Sequence, residues 1–112
     1  MRIAVWYNLP SGGGKRALHD HVRGLVRKGH HVESWCPPSV DHTYMSLTPY
    51  CAEHVVSLEK CAPRIRGKWR RLTAPYWETQ AEIEAMEDHS RRCAAEINEG
   101  GFDILFANTC AL

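Results

Sequence analysis

The sequence lacks the features that mark several large classes of protein. Its apolar runs are only a few residues long, far short of the roughly 18 needed to span a bilayer. Residues 1–8 show no charged segment followed by a long apolar core, so they predict structure rather than a signal peptide. The 14 Lys and Arg residues nearly balance the 13 Asp and Glu residues, for a net charge of +1. This balance gives no reason to expect a nucleic-acid partner.

Disulfide and metal-binding patterns are also missing. The five cysteines are odd in number and form no C-x-x-C pair, which predicts reduced thiols in a cytoplasmic protein. Most of them are expected to pack as small hydrophobic side chains. The seven histidines form no H-E-x-x-H motif and no Cys/His group with ligand spacing, so we expect neither a metal site nor a cofactor. A length of 112 residues with 44% hydrophobic residues predicts a single globular domain.

What the sequence does contain is an alternation of strand and helix patterns. Residues 2–8 form a near-continuous apolar run, which predicts a strand buried on both faces. A helix is predicted over 14–28, with Gly29 as its left-handed C-cap, and a second strand over 31–36. Such a strand–helix–strand unit is the crossover that a parallel strand pair requires. The apolar residues of the helix recur at helical spacing: Leu18, Val22, Leu25 and Val26.

The second half of the sequence predicts a shorter strand over 53–58, a long helix over 78–99 and a buried strand over 102–107. The expected inner stripe of the helix is Ile83, Met86, Cys93 and Ile97, with Ala94 beside it. The whole pattern predicts an α/β domain over 1–112, with an open, mostly parallel, Rossmann-like sheet flanked by helices. Because no helix follows the last strand, we expect an incompletely covered sheet, as in a truncated domain or one that a partner covers.

A glycine turn separates the first strand from the first helix, and such a turn favours an anion because backbone N–H groups and the helix dipole point to one place. A P-loop is not matched, since Leu9 and Arg16 stand where a glycine and a hydroxyl residue are required. A dinucleotide-binding turn is an alternative, although Glu33 lies in the middle of the second strand rather than at its end. A tight turn without a ligand is another. The dinucleotide fingerprint is formally matched at Gly12, Gly14 and Ala17.

Three segments resemble GT-B glycosyltransferases of the family 4 type. Residues 8–16 (N-L-P-S-G-G-G-K-R) and 23–32 (R-G-L-V-R-K-G-H-H-V) resemble their opening, and 102–108 (F-D-I-L-F-A-N) resembles their F-D-[IV]-[IVL]-H-x-H strand. The resemblance implies the N-terminal, acceptor-side half of an enzyme with two Rossmann-like domains. That enzyme would transfer a sugar from a nucleotide sugar to a sugar, lipid-linked or small-molecule acceptor. The C-terminal nucleotide-binding domain would then be a missing partner, so this chain alone is not expected to turn over substrate.

The resemblance also implies roles for particular residues, although it identifies no catalytic residue. Residues of the turn and the first helical turn would bind the donor phosphate: Gly12, Gly13, Gly14, Lys15 and Arg16. Polar residues that follow the first and last strands would bind the acceptor: Asn8, Asn108 and Thr109. The sequence departs from the family in its last strand, where Phe106 and Asn108 replace the two common histidines.

A basic segment between residues 60 and 71 contains six positive charges and no acid. One interpretation is a solvated surface loop, and another is an acceptor-binding patch for an acidic or phosphorylated molecule. A third is peripheral attachment to the anionic inner face of a membrane, where basic side chains give about 1 kcal/mol each. The residues of this patch are Arg64, Arg66, Lys68, Trp69, Arg70 and Arg71. Apart from sugar transfer, the principal alternative function is a non-catalytic α/β binding module.

Overall fold

The structure is a computed structural model that describes residues 1–58 and 68–109, with the side chains of residues 68–71 outside that description. Four parallel strands form one sheet in the order β3-β2-β1-β4. The predicted α/β class and parallel sheet are confirmed. In chain order the elements are β1 (Arg2–Tyr7), α1 (Gly13–Arg27), β2 (His31–Cys36), β3 (Ala52–Val55), α2 (Lys68–Glu99) and β4 (Ile104–Asn108).

The β1-α1-β2 unit follows the sequence prediction to within one residue at each end. Gly29 has a φ of 87°, the left-handed conformation expected after the end of a helix. In α1, Leu18 and Val22 are buried, while Leu25 and Val26 are half-buried against the same core. The predicted apolar face of α1 is therefore confirmed.

The two faces of the sheet carry separate cores because successive side chains of a strand point to opposite faces. On the α1 face, β1 and β2 pack against α1 and against the loop that follows β2, from which Val40 and Leu47 are buried. On the α2 face the buried cluster is smaller and consists of Ala4, Trp35, Cys93 and Ile97. All three cysteines within the described ranges, Cys36, Cys51 and Cys93, carry free thiols.

Helix α2 begins at Lys68 rather than near residue 78, which corrects the predicted boundary. Proline inside a helix removes a backbone donor and crowds the preceding turn. The helix nevertheless runs through Pro75, and the Thr79 hydroxyl donates to the Pro75 carbonyl at 2.8 Å. Arg, Leu and Ala, which are good helix formers, occur among residues 68–77.

The buried stripe of α2 also differs from the prediction. Ile83 is exposed, Met86 is half-buried and Ala94 is exposed. The buried residues instead recur at every fourth position, as Ala85, His89, Cys93 and Ile97. Cys93 and Ile97 of the predicted stripe are confirmed as buried, whereas Ala85 and His89 were not predicted. A search for apolar residues does not select a histidine.

Strand β4 is an edge strand rather than the buried strand that the sequence predicted. Its pairing in the described sheet is with β1, and Ile104, Leu105 and Phe106 are 45%, 53% and 41% exposed. Apolar composition therefore identified the strand correctly, but it could not show that these side chains would be exposed. The expectation of an incompletely covered sheet stays a prediction, because residues 110–112 lie outside the described residues.

Strand β3 is shorter than predicted and ends at Val55. Beyond the strand, the Val56 N–H donates to the Cys36 carbonyl at 3.0 Å. Within the described residues, neither helix combines the length and the apolar character needed to cross a bilayer.

Candidate functional site

The glycine turn opens directly into α1. Gly12 is the N-cap residue, with φ 146° and ψ −161°, and within the described residues no side-chain hydrogen bond caps the helix. This backbone conformation is essentially restricted to glycine. The first helical hydrogen bond joins the Arg16 N–H to the Gly12 carbonyl at 3.0 Å. The preceding first-turn N–H groups have no partner in the helical ladder, and all three glycines of the turn are exposed.

The turn lies where the strand order changes direction. From β1 the chain passes through α1 to β2 and β3 on one side, whereas β4 lies on the other side of β1. In open parallel sheets, ligands bind outside the carboxyl ends of the strands at such a position. Tyr7 and Asn108 are register partners at the ends of β1 and β4. Asn8 follows β1, Asn108 is the last residue of β4 and Thr109 follows it, so all three lie at the carboxyl end of the sheet. The structure therefore brings the predicted acceptor residues and the glycine turn to the same edge.

Lys15 differs from the other residues predicted to bind phosphate, because its side chain points into the protein. It is 1% exposed, its Nζ donates to the Tyr7 hydroxyl at 2.9 Å, and the Nζ lies 4.0 Å from the Tyr7 ring centroid. Burial lowers the pKa of Lys15. Arg16 is exposed beside the turn. A contact between Lys15 and a phosphate stays a prediction.

Tyr7 and Lys15 belong to a polar cluster between α1 and the carboxyl end of the sheet. The Tyr7 hydroxyl donates to Glu53 of β3, and the Cys36 thiol donates to the same carboxylate oxygen at 3.7 Å. His42 Nδ1 lies 3.5 Å from the other oxygen. Burial, with the Glu53 hydrogen bond, raises the pKa of Tyr7 far above its usual range, and burial raises the pKa of Cys36 to about 12.

The loop after β2 is tied to the glycine turn. Asp41 accepts a hydrogen bond from the Ser11 hydroxyl at 2.8 Å and two from Thr43, at 2.9 Å from its N–H and 2.6 Å from its hydroxyl. Hydrogen bonds from Thr43 and then Ser11 hold the pKa of Asp41 well below its usual range. The loop is thereby fixed beside the turn, with His42 directed towards Glu53.

Cys36, His42 and Glu53 are the residues of this cluster that could hold a metal ion. One ligand atom from each lies within 4.8 Å of the others. The sequence predicted no metal site, because these residues come from β2, a loop and β3 and show no recognisable spacing. Only the tertiary structure brings them together, so no local sequence signal could have found them.

Other predicted residues do not join this edge of the sheet. Arg64 and Arg66 lie outside the described residues, and the side chains of residues 68–71, at the start of α2, are also outside the description. Glu33, the acid considered for the dinucleotide alternative, contacts His54 Nε2 at 3.0 Å. Since strand side chains alternate, Glu33 shares the α2 face with Trp35, opposite α1. This placement gives no support to a ribose contact.

Comparisons with known proteins do not assign a family. No protein-family model, no curated protein and no solved structure matches the chain. The resemblance to glycosyltransferases therefore rests on the sequence motifs, and the function must be argued from the site.

Proposed function

We propose that this chain is the acceptor-side, Rossmann-like domain of a two-domain GT-B glycosyltransferase, and that its glycine turn binds the diphosphate of a nucleotide sugar. The observation that carries the proposal is the start of α1, which no side chain of the described ranges caps and which lies where the strand order reverses. The order β3-β2-β1-β4 is also that of the first four strands of many dinucleotide-type doubly wound sheets.

The chemistry of sugar transfer suits this position. When the bond between the anomeric carbon and the diphosphate oxygen breaks, negative charge develops on the departing diphosphate. Preorganised N–H donors and the positive end of a helix dipole stabilise such charge. The exposed Arg16 adds a cation beside the first helical turn. A second domain would bind the nucleotide, so the role of this chain is to bind the acceptor and to stabilise the leaving group.

The space around the glycines supports a close approach of a ligand. A Cβ added to Gly13 would have no protein atom within 4 Å, and the same holds for Gly12. Internal packing therefore does not explain the lack of a side chain at Gly13. A diphosphate lying against the Gly13 backbone would explain it, because a methyl group there would occupy the same space.

The acceptor would lie beside the turn. Asn8 and Asn108 are half-buried and Thr109 is exposed at the same edge of the sheet. Amide and hydroxyl groups both donate and accept hydrogen bonds, as the hydroxyls of a sugar acceptor require. Asn8 and Asn108 therefore provide acceptor contacts without the two histidines that the family commonly has.

The test is a matched pair of glycine substitutions in α1. Gly13→Ala should weaken binding of UDP or GDP at least tenfold in isothermal titration calorimetry, because the methyl group would lie where the diphosphate binds. Gly24→Ala is the control, since its Cβ would also have no protein atom within 4 Å and it lies about three helical turns away. Equal affinity in both variants would contradict the proposal, and tight binding of NAD with none of UDP or GDP would favour the dinucleotide alternative.

The exposed apolar side chains of β4 favour a second candidate function, that of a non-catalytic binding module. These side chains border a groove of about 430 Å³ between α1 and β4, lined by Val5, Leu18, Val22, Leu25 and Phe106 among others. In a pure binding module, Gly13→Ala would leave every measured interaction unchanged. The same titration therefore separates the two functions.

Peripheral membrane attachment by the basic segment is a separate part of the proposal. It predicts that the chain sediments with vesicles containing anionic lipid at low salt and is released at high salt, because the contact is electrostatic. Vesicles of neutral lipid are the control. Equal sedimentation with both kinds of vesicle would contradict electrostatic attachment.

A further inference from the structure

We propose that Cys36, His42 and Glu53 form a binding site for a divalent transition metal of the zinc type. The site lies on the α1 face of the sheet, at the carboxyl end of β2, and its ligands are the Cys36 thiolate, a His42 imidazole nitrogen and the Glu53 carboxylate. The inference does not depend on sugar transfer, because none of its three ligands belongs to the glycine turn.

The spacing of the ligand atoms matches a tetrahedral metal. With metal–sulfur bonds of about 2.3 Å and metal–nitrogen or metal–oxygen bonds of about 2.0–2.1 Å, neighbouring ligand atoms lie roughly 3.3–3.6 Å apart. The Glu53 carboxylate lies between the other two ligands: its Oε2 is 3.5 Å from His42 Nδ1 and its Oε1 is 3.7 Å from Cys36 Sγ. With one ligand atom taken from each residue, all three lie within 4.8 Å of one another.

The chemistry of the three donors selects the metal. Thiolate and imidazole suit zinc, cobalt and similar ions, whereas magnesium and calcium prefer a shell made of oxygen atoms. Binding replaces the proton of the Cys36 thiol with the metal, and that proton is released to water. Three protein ligands leave the fourth position for water or a substrate, as in catalytic zinc sites.

The site combines a buried floor with an accessible side. Cys36 is fully buried and the Glu53 side chain is 4% exposed, whereas the His42 side chain is 35% exposed. An ion can therefore enter past His42. The Nε2 atom of His42 is itself buried and makes no hydrogen bond within the part of the chain that the structure describes. The ring is therefore not held by a second hydrogen bond through Nε2.

Two neighbours would influence the affinity in opposite directions. The Tyr7 hydroxyl donates to Glu53 and so orients the carboxylate, as groups behind metal ligands commonly do. Lys15 Nζ lies 2.9 Å from the oxygen of that hydroxyl, and its positive charge opposes a second cation. Lys15→Met should consequently strengthen metal binding.

The experiment is a titration of the chelator-treated full chain with Co²⁺, followed by displacement with Zn²⁺. We expect one Co²⁺ per chain, with the visible bands of a tetrahedral site and a near-ultraviolet thiolate-to-cobalt band. Cys36→Ala should abolish the thiolate band, and Cys93→Ala, the control on the α2 face, should retain it. His42→Ala should weaken Co²⁺ binding at least tenfold. His21→Ala is the control and should leave the affinity unchanged, because His21 is an exposed residue of α1.

The outcomes separate a metal site from a purely structural cluster. Absence of the thiolate band in the wild-type chain would overturn the proposal, and so would its retention in folded Cys36→Ala. If Cys36→Ala fails to fold by circular dichroism, His42→Ala decides the matter, because His42 lies in a partly exposed loop. Wild-type affinity in His42→Ala would also overturn the proposal, and neither result depends on whether UDP or GDP binds.

Discussion

Each face of the sheet is covered by one helix, but the polar groups between helix and sheet are arranged differently on the two faces. On the α2 face, Trp35 Nε1 donates to Glu96 at 2.7 Å and Trp6 Nε1 donates to His89 at 3.4 Å. Each of these bonds joins one residue of the sheet to one residue of the helix. Glu33, also on the α2 face, collects His31, His54 and Arg2, but these three side chains are 40–54% exposed. On the α1 face, buried ionisable groups instead collect around Glu53, which is 4% exposed, at the carboxyl end of the strands.

This difference indicates which face carries function. Separate polar pairs fix a helix on a sheet, and buried polar groups normally have such partners. A cluster of lysine, tyrosine, cysteine, histidine and glutamate is costly to bury and exceeds what packing requires. It also lies at the edge that holds the glycine turn. The α1 face is therefore the functional face in this account, and the α2 face is structural.

The largest expected effect comes from breaking the cores of the two faces. Leu18→Ala on the α1 face should lower the free energy of unfolding by about 2–5 kcal/mol, because Leu18 is itself fully buried and its truncation leaves a cavity in the larger core. Ile97→Ala on the α2 face should also destabilise, but by less, since its buried cluster is smaller. Urea denaturation measures both changes. Ile83→Ala is the control and should stay within about 0.5 kcal/mol, because Ile83 is exposed.

An intermediate effect is expected from the glycine turn on the α1 side. Gly12→Ala should destabilise the fold by about 1–3 kcal/mol, because φ 146° with ψ −161° is a conformation that alanine rarely adopts. Gly24→Ala in the same helix should stabilise it by up to about 1 kcal/mol. Thermal unfolding of the two variants checks the sign of each change. A stabilised Gly12→Ala protein would show that the turn does not require this backbone conformation.

The smallest effect is a pH dependence that belongs to the α2 face. Burial lowers the pKa of His89, so the unfolded chain binds this proton at a higher pH than the folded chain does. The contribution of neutral His89 to the free energy of unfolding is fully present above about pH 6.5, the usual histidine pKa. This contribution is lost as the pH falls towards the pKa of His89 in the folded chain. Urea denaturation of His89→Gln should show a flatter decline between pH 7 and 5 than the wild type. Equal slopes would contradict a buried, neutral His89.

The sequence predicted the α1 side of the molecule far better than the α2 side. Around α1, apolar periodicity and terminal glycines mark the elements, so β1, α1 and β2 were placed correctly. Around α2, the helix begins ten residues before the predicted residue 78 and runs through Pro75, and only Cys93 and Ile97 of the four buried residues in its stripe were predicted. Local patterns record neither how a long helix tolerates a proline nor which polar residue a neighbouring tryptophan will bind.

Of the candidate site, only the part that is contiguous in sequence, the glycine turn, was predicted. The glycine turn is contiguous in sequence, so its position before a helix could be predicted. The burial of Lys15 and the meeting of Tyr7, Cys36, His42 and Glu53 depend on contacts between separate elements, which a single sequence does not display. The exposure of β4 was hidden for the same reason, since composition reports an apolar strand but not what covers it.

The most direct test of the account is a titration of the uniformly ¹⁵N-labelled chain with pyrophosphate, followed by backbone amide NMR. The account predicts the largest shifts at Gly12, Gly13 and Gly14, with smaller ones at Asn8 and Asn108, and none in α2 between residues 85 and 97. Shifts confined to the basic segment, or none at the glycine turn, would contradict the claim that the α1 face carries the anion site.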